Sequence, residues 1–392
     1  MTSAPALRHF ATSAMLCFAF TWGAAVSLAQ GAKSDAPADL ARKRAEHLRH
    51  GINLSEWFAQ VYDPRGYTKE HFEAWNTAQD IALIKALGFD HVRLSVNPQP
   101  MFRTKQAENI PADYLDNLDA AVKMILDAHL AVMIDLHPDS EFKQKLATDN
   151  EFTEQFADFW RGLARHFSNL DPDLVFFEVL NEPEIRDSYR WFGVQARVAV
   201  AIREGAPRHT IIATGARWSD DDDLLAIEPL HDPNIIYTFH FYEPHVFTHQ
   251  GATWGENYWH FVKALPYPST PENVQASIAA VPEASKRLQA ARYGMDRWNA
   301  ARMDQEFDQV AAWATHWNVP VICNEFGVYR KEARPEDRAA WISDVRKSLE
   351  KHGFGWTMWD YSGGFGIVTK PSGQAIVDET TVKALGRTVP HY

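Results

Sequence analysis

Eight short apolar runs, separated by helix-like stretches, constrain this chain more than any other feature. The runs cover residues 51–54, 91–95, 130–136, 176–183, 210–214, 235–240, 319–327 and 354–359. Most are rich in β-branched and aromatic residues, which suit strands. Between them the periodicity changes. Thr77 and Asp80 form a capping-box signal, Ile81 and Ile84 follow on one face, and Gly88 closes the stretch. Pro111 suits a first helical position, and Leu115, Leu118, Val122 and Ile125 follow at helical spacing. Phe152, Phe156, Phe159 and Leu163 mark a further helix, and residues 189–203 another. Val310 and Trp313 lie on the helix before run seven. Pro335, Trp341, Val345 and Leu349 outline the last, ended by Gly353. Alternation of this kind is the pattern of a (β/α)8 TIM barrel. An open doubly wound sheet is the rival, but no glycine-rich phosphate loop follows Leu54.

Two runs end alike. Residues 176–183 finish in Asn181-Glu182-Pro183, and residues 319–327 in Asn324-Glu325-Phe326-Gly327. Proline cannot donate to a ladder, so a buried strand stops at Pro183 and leaves Glu182 near its carboxyl end. Active sites of parallel α/β folds are built at that end. Other polar or aromatic residues lie near the remaining strand ends: Asn53, Arg93, His137, Trp218, His240, Tyr242 and Trp359. Two glutamates among them suggest a paired-carboxylate site.

Residues 1–29 have the layout of a secretory signal peptide: Arg8, an apolar block, then small residues ending in Ala29. The expected location is therefore secreted or periplasmic, with no membrane association after removal. Residues 30–48 read as a linker and N-terminal helix, and residues 49–392 as one catalytic domain. That domain carries a long insertion after strand six, over residues 243–299. Outside the leader Cys323 is the only cysteine, so no internal disulfide is expected. The net charge of −12, without a basic run, argues against a nucleic-acid partner. No metal-ligand spacing occurs, and neither a metal nor another cofactor is expected.

The ordered motifs Gly51-Ile52-Asn53-Leu54, Val92-Arg93-Leu94, Asp135-Leu136-His137, Leu180-Asn181-Glu182-Pro183, His240-Phe241-Tyr242, Asn324-Glu325-Phe326-Gly327 and Met358-Trp359-Asp360-Tyr361 resemble glycoside hydrolase family 5. That is the large cellulase family of the retaining (β/α)8 clan. The resemblance implies Glu182 as acid/base and Glu325 as nucleophile. Asn181 would bond the sugar 2-hydroxyl. Arg93 would keep Glu325 ionised, and Tyr242 would orient it. His137 and His240 would bind sugar hydroxyls and hold the carboxylates. Trp359 would floor the reacting sugar, with Asn53 and Trp218 completing the substrate-binding set. The implied protein is a monomeric retaining endo-β-glucanase acting on a β-linked polysaccharide or oligosaccharide. Alternatives are another retaining β-glycosidase (a mannanase, exo-glucosidase or transglycosylase) or a non-catalytic glycan-binding barrel.

Smaller features carry further expectations. Strand alternation puts Glu178 on the face of Glu182, as a barrel-interior residue paired with a cation or hydrogen-bonded, and not catalytic. It also puts Cys323 on the face of Glu325. Residues 220–223 read as a solvated helix start. Trp254 and Trp259 serve either a distal subsite or the core of the long segment.

Overall fold

The computed structural model describes residues 37–390, apart from 104, 105, 107 and 108. Each apolar run is a strand: β1 His50–Phe58, β2 His91–Val96, β3 Ala131–Leu136, β4 Val175–Glu178, β5 Thr210–Thr214, β6 Ile235–Phe241, β7 Val321–Phe326 and β8 Gly355–Met358. They pair in parallel in sequence order and close into a barrel, β1 against β8. The expected signal peptide lies outside the described residues. No helix among the described residues is long and apolar enough to cross a membrane.

The helices cover the barrel as their periodicity predicts. Phe152, Phe156, Phe159 and Leu163 are all buried on the helix Asn150–Phe167. Each such burial contributes about 1.5–3 kcal/mol. Gly88 and Gly353 follow their helices with φ of +86° and +77°, the left-handed stop that glycine adopts without strain. Pro111 caps the helix Ala112–Asp127 from just outside it, rather than occupying its first position. The helix Ser140–Thr148 was not foreseen; Asp139 caps it by accepting from the Phe142 N–H.

Inside the barrel, Ala131, Met133, Phe176, Ile212, Ile236 and Ile322 pack the lower layer. Above them lies a polar layer of Asn53, Arg93, Asp135, Glu178 and Asn324, every one buried. A bulge in β7 shapes this layer. Phe239 pairs with Cys323, but the next residue, His240, pairs with Glu325. Asn324 is the extra residue, so the alternation of faces breaks there. Cys323 consequently packs in the outer core. Asn324 and Glu325 both reach inward, to Glu178 and Arg93 respectively. The expectation that Cys323 shares a face with Glu325 fails for this reason.

The segment after β6 folds into short helices, His245–Thr248, Gln275–Ile278 and Ala284–Met295, around a core that includes Phe247, Tyr267 and Tyr293. The acidic run is also not the solvated start expected. In the helix Asp221–Leu225, Asp221 and Asp223 are buried, and Asp223 pairs with Arg217.

Candidate active site

Arg93 is the hub beneath the cleft. β2 presents it to the barrel axis with no exposed surface. Its Nε and Nη2 donate to Glu178 at 2.7 and 2.8 Å, and its Nη1 to Glu325 at 2.5 Å. Asp135 lies 3.1 Å from Nη2. The same fork donates to Asn53 Oδ1 and Asn181 Oδ1, each at 3.0 Å. Burial opposes the charge on Arg93, but Asp135, Glu178 and Glu325 outweigh it and hold the guanidinium ionised. One cation among three buried carboxylates leaves excess negative charge. Burial accordingly pushes Asp135 up to about 6 and Glu178 also upward, against the pull of Arg93.

Glu182 is not on a strand. β4 ends at Glu178, and a tight turn carries Glu182 and Glu184 at φ of +40° and +57°. That backbone is rare for glutamate and costs on the order of 1–3 kcal/mol. It places the Glu182 carboxyl at the cleft, 27 % exposed, with Oε1 3.2 Å from His240 Nδ1. His240 Nδ1 is also 3.5 Å from Glu325 Oε2. The Tyr242 hydroxyl donates to the same Oε2 at 2.9 Å. One donor atom from each of Glu182, His240 and Glu325 lies within 4.8 Å of the others. A divalent cation would fit this spacing only by displacing the shared proton.

The two carboxylates beside Nδ1 favour a proton on His240. Burial opposes a charge on the imidazole, but Glu325 and the Glu182 hydrogen bond raise its pKa above the usual value. Burial alone would raise Glu182. The His240 hydrogen bond and charge, with Lys143 and His137, bring it down to about 2. Lys143 comes from the unforeseen helix Ser140–Thr148, where Glu184 anchors it at 3.0 Å. Burial holds Tyr242 well above the ordinary phenol range, with the charge of Glu325 adding to it, so its O–H remains a donor.

The residues expected to touch sugar divide into two sets. His137, Trp218, Tyr242 and Trp359 line the cavity with Glu182 and Glu325. Asn53, Arg93, Asn181 and His240 lie beneath them, at most 1 % exposed. Asn53 donates to the Asn324 and Met358 carbonyls and accepts from Arg93, so it ties β1 to β7 and β8. Arg93 likewise spends its donors on protein groups. Neither is a sugar ligand: both position other groups. His137 is also fully used. Burial drives its pKa down to about 3, so the ring is neutral. Nδ1–H then donates to Asp135 at 3.0 Å, and Nε2 accepts from Asn181 Nδ2 at 3.1 Å. His137 thus fixes Asn181, while its ring stacks on Trp359 at 5.6 Å.

The cavity has a volume of about 1360 Å³, beyond the usual range for small-molecule sites. Three of its aromatics are solvent-facing: Tyr62 at 76 %, Trp218 at 50 % and Trp254 at 47 % exposure. Trp259 is only 8 % exposed and stacks on His245 at 5.9 Å. Burial thus separates the two tryptophans of the long segment. Trp259→Ala is expected to lower stability by about 3–5 kcal/mol. Trp254→Ala is expected to leave the melting temperature unchanged. It should weaken turnover of long oligosaccharides up to about tenfold while sparing short ones. Melting curves and a chain-length series check both, and a Trp254→Ala loss that is the same at every length would contradict the assignment.

The model of the family "Cellulase (glycosyl hydrolase family 5)" matches residues 55–364. Endoglucanase C of Acetivibrio thermocellus is 28 % identical over 80 % of this chain and 91 % of its own length. A hyperthermophilic endo-β-1,4-glucanase, solved in complex with substrate, superposes with a TM-score of 0.71 at 26 % identity. It covers 88 % of this chain and 99 % of that one. The cellulose synthase subunit Z of Clostridioides difficile superposes with a TM-score of 0.69, also at 26 % identity, over 86 % of this chain and 99 % of that one.

Proposed function

The chain belongs to the cellulase family, glycosyl hydrolase family 5, and from that premise we propose that it is a retaining endo-β-glucanase. Family membership makes it an O-glycosyl hydrolase acting on β-glucan. Retention is supported by one observation above the others. Oxygens of Glu182 and Glu325 lie within 4.8 Å of each other. An inverting pair needs about 6.5–9.5 Å to admit a water between carboxylate and sugar, whereas a retaining pair stands about 5–5.5 Å apart. Endo action is supported by the large cavity and its three exposed aromatics, which suit a chain passing through rather than a single terminal unit. Export is supported by the leader-like residues 8–29.

The reaction would run in two steps. Glu325, aimed by Arg93 and Tyr242, attacks the anomeric carbon as the glycosidic C–O bond breaks. Glu182 delivers a proton to the departing oxygen, having drawn it from His240 across their 3.2 Å contact. Water then attacks the glycosyl ester on the same face. Glu182 takes its proton, and Glu325 is released. In this reading His240 stores the proton in the resting site and Glu182 transfers it. Proton NMR of the first-formed sugar tests the reading. β-Anomer is expected first; α-anomer first would mean inversion and overturn it.

A further inference from the structure

The left-handed turn that carries Glu182 is strapped on both sides by residues that neither step of the reaction uses. Glu184, two residues on, is left-handed as well. Its N–H donates to the Arg217 carbonyl at 2.5 Å, and the Arg217 N–H donates back to the Ile185 carbonyl at 3.0 Å. That strap ties the turn to the loop after β5. On the other side, Glu184 Oε1 accepts from Ser140 Oγ and from Lys143 Nζ, each at 3.0 Å. Both donors belong to the helix Ser140–Thr148. Arg190 holds that helix in turn, donating to the Leu146 and Ala147 carbonyls at 2.6 and 3.0 Å.

Ser140 shows that a neutral hydroxyl suffices to bond Glu184 to the helix. Lys143 does more, at a cost. It is 3 % exposed, and taking an ammonium out of water costs several kcal/mol. Its one ion-pair partner among the described residues is Glu184, whose side chain is 13 % exposed. The charge of Lys143 reaches the site. Burial would raise Glu182, and after His240 it is Lys143 that does most to bring it down. Against burial, Lys143 also favours an ionised Asp135; with burial, it favours a neutral His137. The other titratable groups that act on Glu182 are Asp135 and His137 at β3, Asp220 after β5, His240 and Tyr242 at β6, Glu325 on β7, and His245 and His249 at the helix His245–Thr248.

On the hydrolase reading, with Glu182 as acid/base, we propose that the Lys143–Glu184 ion pair is its positioning device: it clamps the turn and, through the balance of its two charges, sets how firmly Glu182 and His240 hold their proton. The two effects differ in symmetry. Losing either end of the pair loosens the clamp, but the charges oppose one another. A cation beside Glu182 and His240 favours release of the proton. The Glu184 carboxylate masks that cation and favours retention. A buried pair acts this way with little screening by salt. A proton released more readily makes Glu182 a stronger acid toward the leaving oxygen, and a weaker base toward water in the second step.

Two measurements on a set of variants test this. Nitrogen-15 NMR titration follows the His240 imidazole, and kcat/KM on a β-linked glucose tetramer gives the alkaline limb and the rate at the optimum. Lys143→Met should move both the titration and the limb up by about one pH unit. Glu184→Gln keeps an acceptor oxygen for Ser140 but unmasks the cation, so both should move down. The two substitutions together should return them close to their original place. Lys143→Arg keeps the charge and should leave them there. The rate at the optimum should fall roughly tenfold in Lys143→Met, through the loosened turn, and recover in Lys143→Arg. Shifts of the same sign in the two single variants, or no shift in either, would overturn the charge balance. An undiminished optimum in Lys143→Met would overturn the clamp. If Lys143→Met does not fold, an unmoved or upward-moving His240 in Glu184→Gln is enough to overturn the proposal. The titration needs no turnover, so the hydrolase reading reports separately. Opposite shifts of His240 in a protein that cleaves no glucan would overturn that reading and keep the ion pair's hold on the proton.

Discussion

Glu325→Ala should abolish turnover of every substrate, with kcat falling by about five orders of magnitude. The nucleophile supplies the bond that defines the intermediate, and nothing near it can substitute. Tyr242 donates a hydrogen bond to it, Arg93 is cationic, and Asn324 is turned toward Glu178. Glu182→Ala should behave differently. Loss of a general acid costs about 10²–10⁴-fold on glucan, whose leaving oxygen needs a proton. An aryl glycoside with an acidic leaving group does not need one, so its glycosylation step should survive. The ester then accumulates, because no base activates water. Azide needs no base, enters the space vacated by Glu182 and should restore turnover, giving a β-glycosyl azide. Failure of azide to accelerate Glu182→Ala, or an α-azide product, would remove Glu182 from this role.

The storage of the proton on His240 has a consequence for the pH profile. In the free enzyme the cluster loses its proton as pH rises through the raised pKa of His240, above its ordinary 6.5. The alkaline limb of kcat/KM should report that value. In His240→Ala the hydrogen bond that depresses Glu182 is gone, and Glu182 must hold the proton itself. The limb should then move to lower pH, while the fold stays intact by melting curve. An unmoved limb would place the stored proton elsewhere.

The strands and their order were legible because each is a run of apolar residues bounded by turn chemistry, and parallel strands buried on both faces read that way. Glu182 and Glu325 were legible as polar residues closing such runs. What failed had local physical causes. Parity assigned Cys323 to the face of Glu325, and the bulge at Asn324 reversed it; nothing in Val-Ile-Cys-Asn-Glu-Phe marks an extra residue. In the sequence Asn53 and Arg93 look like strand-end residues, as the sugar-facing ones do, but β1 and β2 run on past them. Only the hydrogen bonds of Asn53 to β7 and β8, and the ion pairs of Arg93 with three carboxylates, show that they are spent inside the protein. Lys143 was missed because its nine-residue helix has only Phe142 and Leu146 as large apolar residues, a weak periodic signal. Glu56, which lines the cavity, was missed because the first strand read as ending at Leu54, whereas β1 runs on to Phe58 through a left-handed Glu56 at φ +58°. Asp135 was within reach: it stands two residues before His137, and on a strand that spacing puts both on one face.

Arg93→Met should be the most destabilising single change in the barrel interior. Methionine keeps much of the side-chain volume and removes the charge. Asp135, Glu178 and Glu325 then lose the guanidinium that pairs with all three, and Asn53 Oδ1 and Asn181 Oδ1 lose a donor. Breaking a buried ion pair from one side costs about 3–5 kcal/mol, because the remaining charge stays buried. Here three carboxylates are left, which puts the expected loss at the upper end. The sign of its pH dependence follows. Burial already raises Asp135 and Glu178, and Arg93 is what opposes that rise. Without Arg93 their folded pKa values go higher still, while the unfolded values stay ordinary. Between the two the folded state binds more protons than the unfolded state, so stability falls as pH rises. The deficit of Arg93→Met relative to the unaltered protein should therefore be larger at mildly alkaline pH than at mildly acidic pH. Arg93→Lys, which restores one charge but not the five-donor fork, should recover part of the stability and little of the turnover. Chemical denaturation across pH reads the first effect, and kcat on glucan the second. A deficit independent of pH would mean that Arg93 acts by packing rather than as the counter-charge of the site.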